Sequence, residues 1–383
     1  MPVAAVPKYL ENDFLDTSPG MRFGMYLNIW SLDWAKEKNK FSALESSTKL
    51  TKHDKRLLQN LLARQDACAA KLPETVLYHS QATAQSPFTT GLGNEHPLEN
   101  GFAFLNPYGL PYLSGSGVKG VLRQAARELI DGCWGTDTHG WNENGIQALF
   151  GSDDEGNPHR GALSFWDVIP LIQGDALQVE VMTPHQSHYY QKKADRKTDD
   201  SISPHDSGQP TPINFLTVPA ESNFNFYVIC DVALLQHKHP ELVIDNVWKS
   251  MLTVAFEHAF EWLGFGAKTA VGYGAMVSIE RRQSLQKQAE ERKEAEKLAE
   301  KERKQAEAVA NAVEWIDVRL TYNRGNKTLT AKKDGKSAHA MAPRGEQLLN
   351  KLPADIRKKV ETNQFDKYNV RVAADNTLLD ILL

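Results

Sequence analysis

The sequence predicts an α+β fold, and three observations carry that prediction. Between residues 81 and 280, short apolar or β-branched runs alternate with Gly/Pro/Asn breaks. Two helical stretches with one apolar side, 118–130 and 247–263, interrupt those runs. Hydrophobic residues fill 41% of the 383 positions and aromatic residues 9%, enough for a sizeable core and too much for a disordered chain. Strands and helices interleaved in this way suit α+β or split βαβ layers.

The elements follow in order. Residues 1–80 read as a helical N-terminal elaboration: Leu50, Leu57, Leu58, Leu61 and Leu62 recur at helical spacing, with Lys52, Lys55, Arg56 and Arg64 between them, and Pro73 closes the run. Its basic face is either a solvated surface or one offered to RNA or a partner. Residues 81–280 form the body. One of its helices carries Val118, Val121, Leu122, Ala125, Ala126 and Leu129 on one side, and the other Met251, Val254, Ala255, Ala259 and Leu263. Strands are predicted at 162–165, 178–182, 224–230 and 275–279.

Residues 281–312 are rich in Ala, Glu, Lys and Gln, without Gly or Pro, so helix propensity is high. Opposite charges stand three or four apart in Glu290/Lys293, Glu294/Lys297, Arg292/Glu296, Glu300/Lys304 and Arg303/Glu307. With no sustained heptad, this is a solvated helical spacer ~45 Å long rather than a coiled coil. Residues 313–383 resume a globular α+β pattern. Val313, Trp315, Val318, Leu320 and Tyr322 mark a strand, and residues 323–326 a turn. Leu348, Leu349 and Leu352 mark a helix ended by Pro353, and 370–373 with 378–382 a closing hairpin.

Composition removes several function classes. No apolar run approaches the ~18 residues of a membrane span, and Met1 to Asp16 lack a basic segment followed by an apolar core, so a cytoplasmic chain is expected. Cys68, Cys133 and Cys230 are too few and too scattered for a disulfide framework or a four-cysteine zinc site. No cofactor and no metal are expected. Residues 1–280 hold 22 Lys+Arg against 32 Asp+Glu, a net charge of -10, while 281–312 carry +2 and 313–383 carry +4. A polyanion would have to meet the body through a local basic groove or backbone amides, not through the global field.

Two motifs offer such amides. Residues 264–274 read GFGAKTAVGYG: Gly264, Gly266, Gly272 and Gly274 bracket a stretch centred on Lys268. Glycine permits positive φ and close backbone approach, so the loop is either a tight turn packed on protein or a cradle of N–H groups for phosphate oxygens. A helix precedes it and a strand follows, the reverse of a dinucleotide fingerprint. The second motif, Ser114, Gly115, Ser116 and Gly117, feeds a helix N-terminus that favours an anion. Lys119, Arg123 and Arg127 then follow four apart on one face. The bland reading there is a capped amphipathic helix.

These motifs resemble the RAMP superfamily of CRISPR-associated RNA-binding proteins, whose signature Gly-h-Gly-x5-Gly-h-Gly loop is matched at every glycine of 264–274. SPFTTGLGNE at 86–95, YGLPYL at 108–113, GALSFWD at 161–167, VMTPH at 181–185, Tyr189-Tyr190 and PTPINFL at 210–216 narrow the resemblance. They point to the family of sixth subunits of the Cmr, type III-B, effector complexes. The match spans about 81–280. One departure is Ser114-Gly115-Ser116-Gly117, where that family usually reads Pro-Gly-Ser-Ser.

The resemblance implies one or two ferredoxin-like (RRM-like) units and a non-catalytic backbone subunit. It implies binding of the 3′ part of a guide CRISPR RNA and of its duplex with complementary target RNA, capping the filament away from the guide's 5′ tag. The implied protein partners are the repeated backbone subunit, the small helical subunit and the first RAMP subunit of the Cmr complex. Sequence-independent grip on a guide calls for phosphate and sugar contacts, which assigns Ser114, Gly115, Ser116, Gly117, Lys119, Arg123, Gly264, Gly266, Lys268, Gly272 and Gly274 to one sugar–phosphate track. His185, His188, Tyr189 and Tyr190 join them as candidate stacking or contact groups, and the polar segment 191–208 as a mobile insertion. Two rival readings stand beside this one. An endoribonuclease would need His185, His188, His205, His237 or His239, or Asp199-Asp200, to converge on a ribose. A structural adaptor would recruit a partner through 313–383.

Overall fold

The computed structural model describes the whole chain except residues 1–2, 11–13, 37–39, 133–137, 153–155, 157, 184–211, 365 and 383. The chain divides into two compact units, Met1–Gln283 and Ser284–Leu383.

In the first unit the strands are β1 (Leu77–Ala84), β2 (Leu163–Phe165), β3 (Gln178–Met182), β4 (Ile213–Thr217), β5 (Asn223–Cys230) and β6 (Met276–Ser278). The principal helices are α1 (Lys52–Ala69), α2 (Gly115–Asp131) and α3 (Val247–His258). One sheet has the order β6-β1-β5-β2 with every neighbour antiparallel, and β3 pairs with β4 as a separate ladder. The chain therefore runs β1-α2-β2-β5-α3-β6 through this sheet.

Strand alternation sets the core. Phe224, Phe226, Val228 and Cys230 of β5 are buried on the face that meets α3, with Phe224 opposite Ala82, Phe226 opposite Ser80 and Val228 opposite Tyr78 of β1. Tyr227 alternates with them and lies on the other face, stacked on His79 at 4.6 Å and tilted against Trp166 at 5.3 Å. Its hydroxyl donates to Asp66 of α1, and Gln65 Nε2 donates to the Asp167 carbonyl at 2.8 Å, so α1 is fastened on that outer face. A capping box starts α1: Thr51 Oγ1 accepts from the Asp54 N–H, and Asp54 Oδ2 accepts from the Thr51 N–H at 2.8 Å.

Most predicted elements appear within a few residues, and the exceptions have physical reasons. The expected division at 80/81 cuts through β1, which is a central strand of the sheet. Its sequence LYHSQATA faces the core with one aromatic, Tyr78, and the small residues Ala82 and Ala84, too little hydrophobic signal to mark a strand. The helix predicted at 118–130 begins at Gly115 because Ser114 caps it, and it ends at Gly132 in the left-handed region. The helix predicted at 247–263 is α-helical to His258 and closes as a π turn, Ala259–Leu263.

Helix α4 (Ile279–Ala310) covers most of the segment expected to be a helical spacer, and among its described side chains from 280 onward all are exposed except half-buried Arg282. Of the charge pairs expected along it, Arg292–Glu296, Lys304–Glu300 and Arg303–Glu307 form, joined by Lys287–Glu291. In the second unit β7 (Val313–Asn323), β8 (Thr328–Lys333), β9 (Lys336–Ala340), β10 (Tyr368–Val372) and β11 (Leu378–Leu382) build an antiparallel sheet of order β9-β8-β7-β10-β11. Helices α5 (Arg344–Asn350) and α6 (Ala354–Glu361) supply Leu348, Leu349 and Val360 to a separate core with Val318, Leu320, Leu329, Val370 and Val372. Strand β9 escapes sequence reading for the same reason as β1, since Ala338 and Ala340 are its core residues.

Burial also makes the first unit sensitive to alkali. It pushes the Cys230 thiol and the Tyr78 hydroxyl each up to about 12. The folded protein keeps both protons while the unfolded chain releases them above roughly pH 8.5 and 10, so their contribution is complete below that range and fades as pH rises toward 12. The expected result is a melting temperature that falls steadily from pH 9 to 11, with a smaller fall in Cys230→Val. A melt unchanged across that range would contradict the burial of both groups.

Candidate functional site

The glycine-rich loop is built from the core outward. The π turn stops at Gly264, whose φ is +68° and whose N–H donates to the Ala259 carbonyl at 2.8 Å. Phe265 then plugs the core against Phe226, Phe260 and Phe256, at 5.1, 5.6 and 6.4 Å between ring centres. Its N–H donates to the Gly274 carbonyl at 2.9 Å, which ties the two stems of the loop together. The stems rest on residues 86–89. Ala267 N–H donates to Thr89 O, Gly274 N–H to Pro87 O, and Ala275 N–H to Ser86 Oγ, all within 3.0 Å.

Three of the four glycines answer to this packing. A Cβ on Gly274 would lie 1.9 Å from the Phe265 oxygen, and one on Gly266 would lie 2.2 Å from the Thr89 oxygen. At Gly264 the neighbours stand at 3.1–3.2 Å. Gly272 differs: at φ +95° it has no atom within 4 Å of a built Cβ. It closes an exposed tip in which Thr269–Val271 form one 3-10 turn. Among the described residues, no protein acceptor engages the N–H groups of Lys268, Thr269 and Ala270, the first donors of that turn.

Lys268 stands at the start of the tip with φ +58°. Its ammonium lies 3.3 Å from Met182 Sδ and 5.7 Å from the centre of the Phe215 ring, over the ladder of β3 and β4. Tyr273 packs edge-on against Phe215 at 5.5 Å and directs its hydroxyl to Glu180 Oε2 at 3.5 Å. Burial, and then the Glu180 charge, raise the Tyr273 hydroxyl above its ordinary value. A thioether is a weak acceptor, so the ammonium keeps donors for an anion arriving at the tip.

The second motif is more fully engaged than the sequence suggests. Ser114 Oγ accepts from the Gly117 N–H at 3.2 Å, and Asp167 Oδ1 accepts from the Gly115 N–H at 2.7 Å. Ser116 Oγ donates to Ser114 Oγ at 3.1 Å. The N-terminus of α2 therefore already holds a carboxylate, in the place where an anion was expected to find free amides. Gly115 is needed because a Cβ there would lie 2.2 Å from the Phe165 oxygen. Lys119 and Arg123 are both half-buried.

The two motifs do not meet at one point. The glycine-rich loop feeds edge strand β6, and Gly115 abuts edge strand β2, three strand steps away across the sheet. At ~4.8 Å per step that is about 14 Å. His185, His188, Tyr189, Tyr190, segment 191–208, Asp199-Asp200 and His205 lie outside the described residues. His239 Nδ1 is 3.3 Å from Glu241 Oε1, and no group of three metal-ligating side chains occurs among the described residues. No helix among them is long and apolar enough to cross a membrane. Sequence reading gave no role to Asp167, to Thr89, or to Met182 and Phe215 under Lys268.

The chain is similar to known proteins in sequence and in fold. A family model described as the RAMP superfamily matches residues 81–277. The CRISPR system Cmr subunit Cmr6 of Pyrococcus furiosus is 28% identical over 243 residues, covering 50% of this chain and 65% of that protein, so the chain spans just under two thirds of this relative's length. Among solved structures, a chain of the type III-B Cmr-beta complex bound to cognate target RNA is 19% identical, with a TM-score of 0.42. That match covers 64% of this chain and 76% of the other. The crystal structure of Cmr6 from Pyrococcus furiosus is 23% identical, with a TM-score of 0.33, covering 54% and 99%.

Proposed function

Because this chain belongs to the RAMP superfamily, we propose that it is a non-catalytic RNA-binding subunit of a type III-B CRISPR (Cmr) ribonucleoprotein. We read the path β1-α2-β2-β5-α3-β6, with sheet order β6-β1-β5-β2, as a ferredoxin-like unit. The observation that carries the function is the outer turn of the glycine-rich loop. Its stems are locked onto residues 86–89 and the Phe265 pocket, while its tip offers three consecutive N–H groups and the Lys268 ammonium. Such a tip recognises a phosphate without regard to base, as a subunit gripping many different guides requires. The substrate on this reading is the 3′ part of the guide RNA and its duplex with target RNA. The partners are the repeated backbone subunit, the small helical subunit and the first RAMP subunit, and the chain caps the filament.

The separation of the two motifs gives them different shares of the RNA. The tip takes one phosphate, and Lys119, across the sheet, takes another. Lys119→Ala with Lys268→Ala is expected to weaken guide RNA binding by the full chain. It should also lower the magnitude of the log K against log salt slope by about one to two, because each lost phosphate contact releases ~0.7–0.9 fewer counterions. Fluorescence anisotropy at stepped KCl concentrations measures this, and an unchanged slope would remove both residues from the interface.

A further inference from the structure

The outer face of α1 is a cationic strip on an acidic body. Lys52, Arg56 and Arg64 are exposed there, interleaved with His53, Gln59, Asn60 and Ala63, and Lys71 follows just past the helix. Along the axis the three helical cations span ~18 Å at 1.5 Å per residue. Among the described residues no carboxylate neutralises them. Asp54 is buried in the capping box, and Asp66 accepts from the Tyr227 hydroxyl. Lys55 is the helix cation that turns aside, to Asp175. Among the described residues, Lys52, Arg56 and Arg64 have no ion-pair partner. This concentration stands out where residues 1–280 as a whole carry a net charge of -10.

We propose that this face is a second RNA-contacting surface, binding sugar–phosphate backbone; it rests on the reading that the chain binds RNA. The chemistry favours nucleic acid over protein. Side chains on the strip are N–H donors or small residues, without the aromatic or large aliphatic anchor that carries a protein interface. The placement of α1 supplies the reason for it. A four-stranded sheet of this order commonly stacks bases on its open face. Here that face carries His79, Tyr227 and Trp166, and α1 is fastened to it through Asp66 and Gln65. The helix takes up the stacking surface and presents a phosphate-binding surface in its place.

The test uses the full chain and a fluorescein-labelled 20-nucleotide oligouridine, with anisotropy read from 50 to 300 mM KCl. In the triple variant Lys52→Gln/Arg56→Gln/Arg64→Gln the salt slope is expected to fall in magnitude by about two, and affinity at low salt roughly tenfold. The charge-preserving Arg56→Lys/Arg64→Lys should keep the slope, and melting curves of both should match the unmodified chain because every altered side chain is exposed. An unchanged slope in the triple variant, as an acidic protein partner would leave it, overturns the proposal. If the slope then still falls with Lys119→Ala/Lys268→Ala, the proposed function stands without this surface. A chain that binds no oligouridine at any salt overturns both.

Discussion

Gly274→Ala is expected to destabilise the protein by about 3–5 kcal/mol, and Gly272→Ala, two residues away in the same motif, by only ~1–2 kcal/mol. Both positions have positive φ, +71° and +95°, so an L side chain is strained at either. At Gly272 the strain is the whole cost, since the space around a Cβ is empty. At Gly274 the Cβ would lie 1.9 Å from the Phe265 oxygen, which is backbone and cannot swing away. Relief requires the stems to part, breaking the bonds from Phe265 N–H to Gly274 O and from Gly274 N–H to Pro87 O. Urea unfolding of the two variants measures the difference. Equal stabilities would mean that the stems are not packed as described. At a temperature where both variants are folded, RNA affinity should fall more in Gly274→Ala, whose stems must part, than in Gly272→Ala, which retains its stems.

The contrast shows what a glycine spacing discloses and what it conceals. The sequence marks where the backbone must take unusual angles, and all four positions do so. It does not say whether the close approach is to a ligand or to another stretch of the same chain. Here Gly264, Gly266 and Gly274 face protein, and Gly272 is left for the tip. Helices α2 and α3 and strand β5 were legible because large apolar residues at fixed periods face one core. Strands β1 and β9 were not, because alanine holds most of their core positions (Ala82 and Ala84 beside a single Tyr78 in β1, Ala338 and Ala340 in β9) and its burial contributes too little to break the pattern around it. The engagement of the Gly115 amide in the Ser114–Gly117 motif was hidden for a different reason. The carboxylate that takes this amide comes from Asp167, 52 residues on, and nothing local to the motif announces a tertiary cap. The direction of Lys268 is likewise set by Met182, 86 residues earlier.

Phe265→Ala tests the remaining link, from core to tip. The ring is fully buried, and its partners Phe226, Phe256 and Phe260 are each no more than 1% exposed, so the vacated volume cannot be filled by solvent. Loss of the ring should cost ~3–5 kcal/mol, against about 1–2 kcal/mol for Phe265→Leu, which refills most of the space. The consequence for binding follows from the same geometry. Phe265 is the residue through which the π turn at Ala259–Leu263 fixes the first stem, and its N–H holds the second. With the ring gone, the three N–H groups at 268–270 lose their fixed aim, although none of them is altered. At a temperature where the alanine variant is still fully folded, RNA affinity should fall several-fold while Phe265→Leu binds as the unmodified chain does. Affinity unaffected by Phe265→Ala would separate the tip from the core and place the phosphate contact elsewhere.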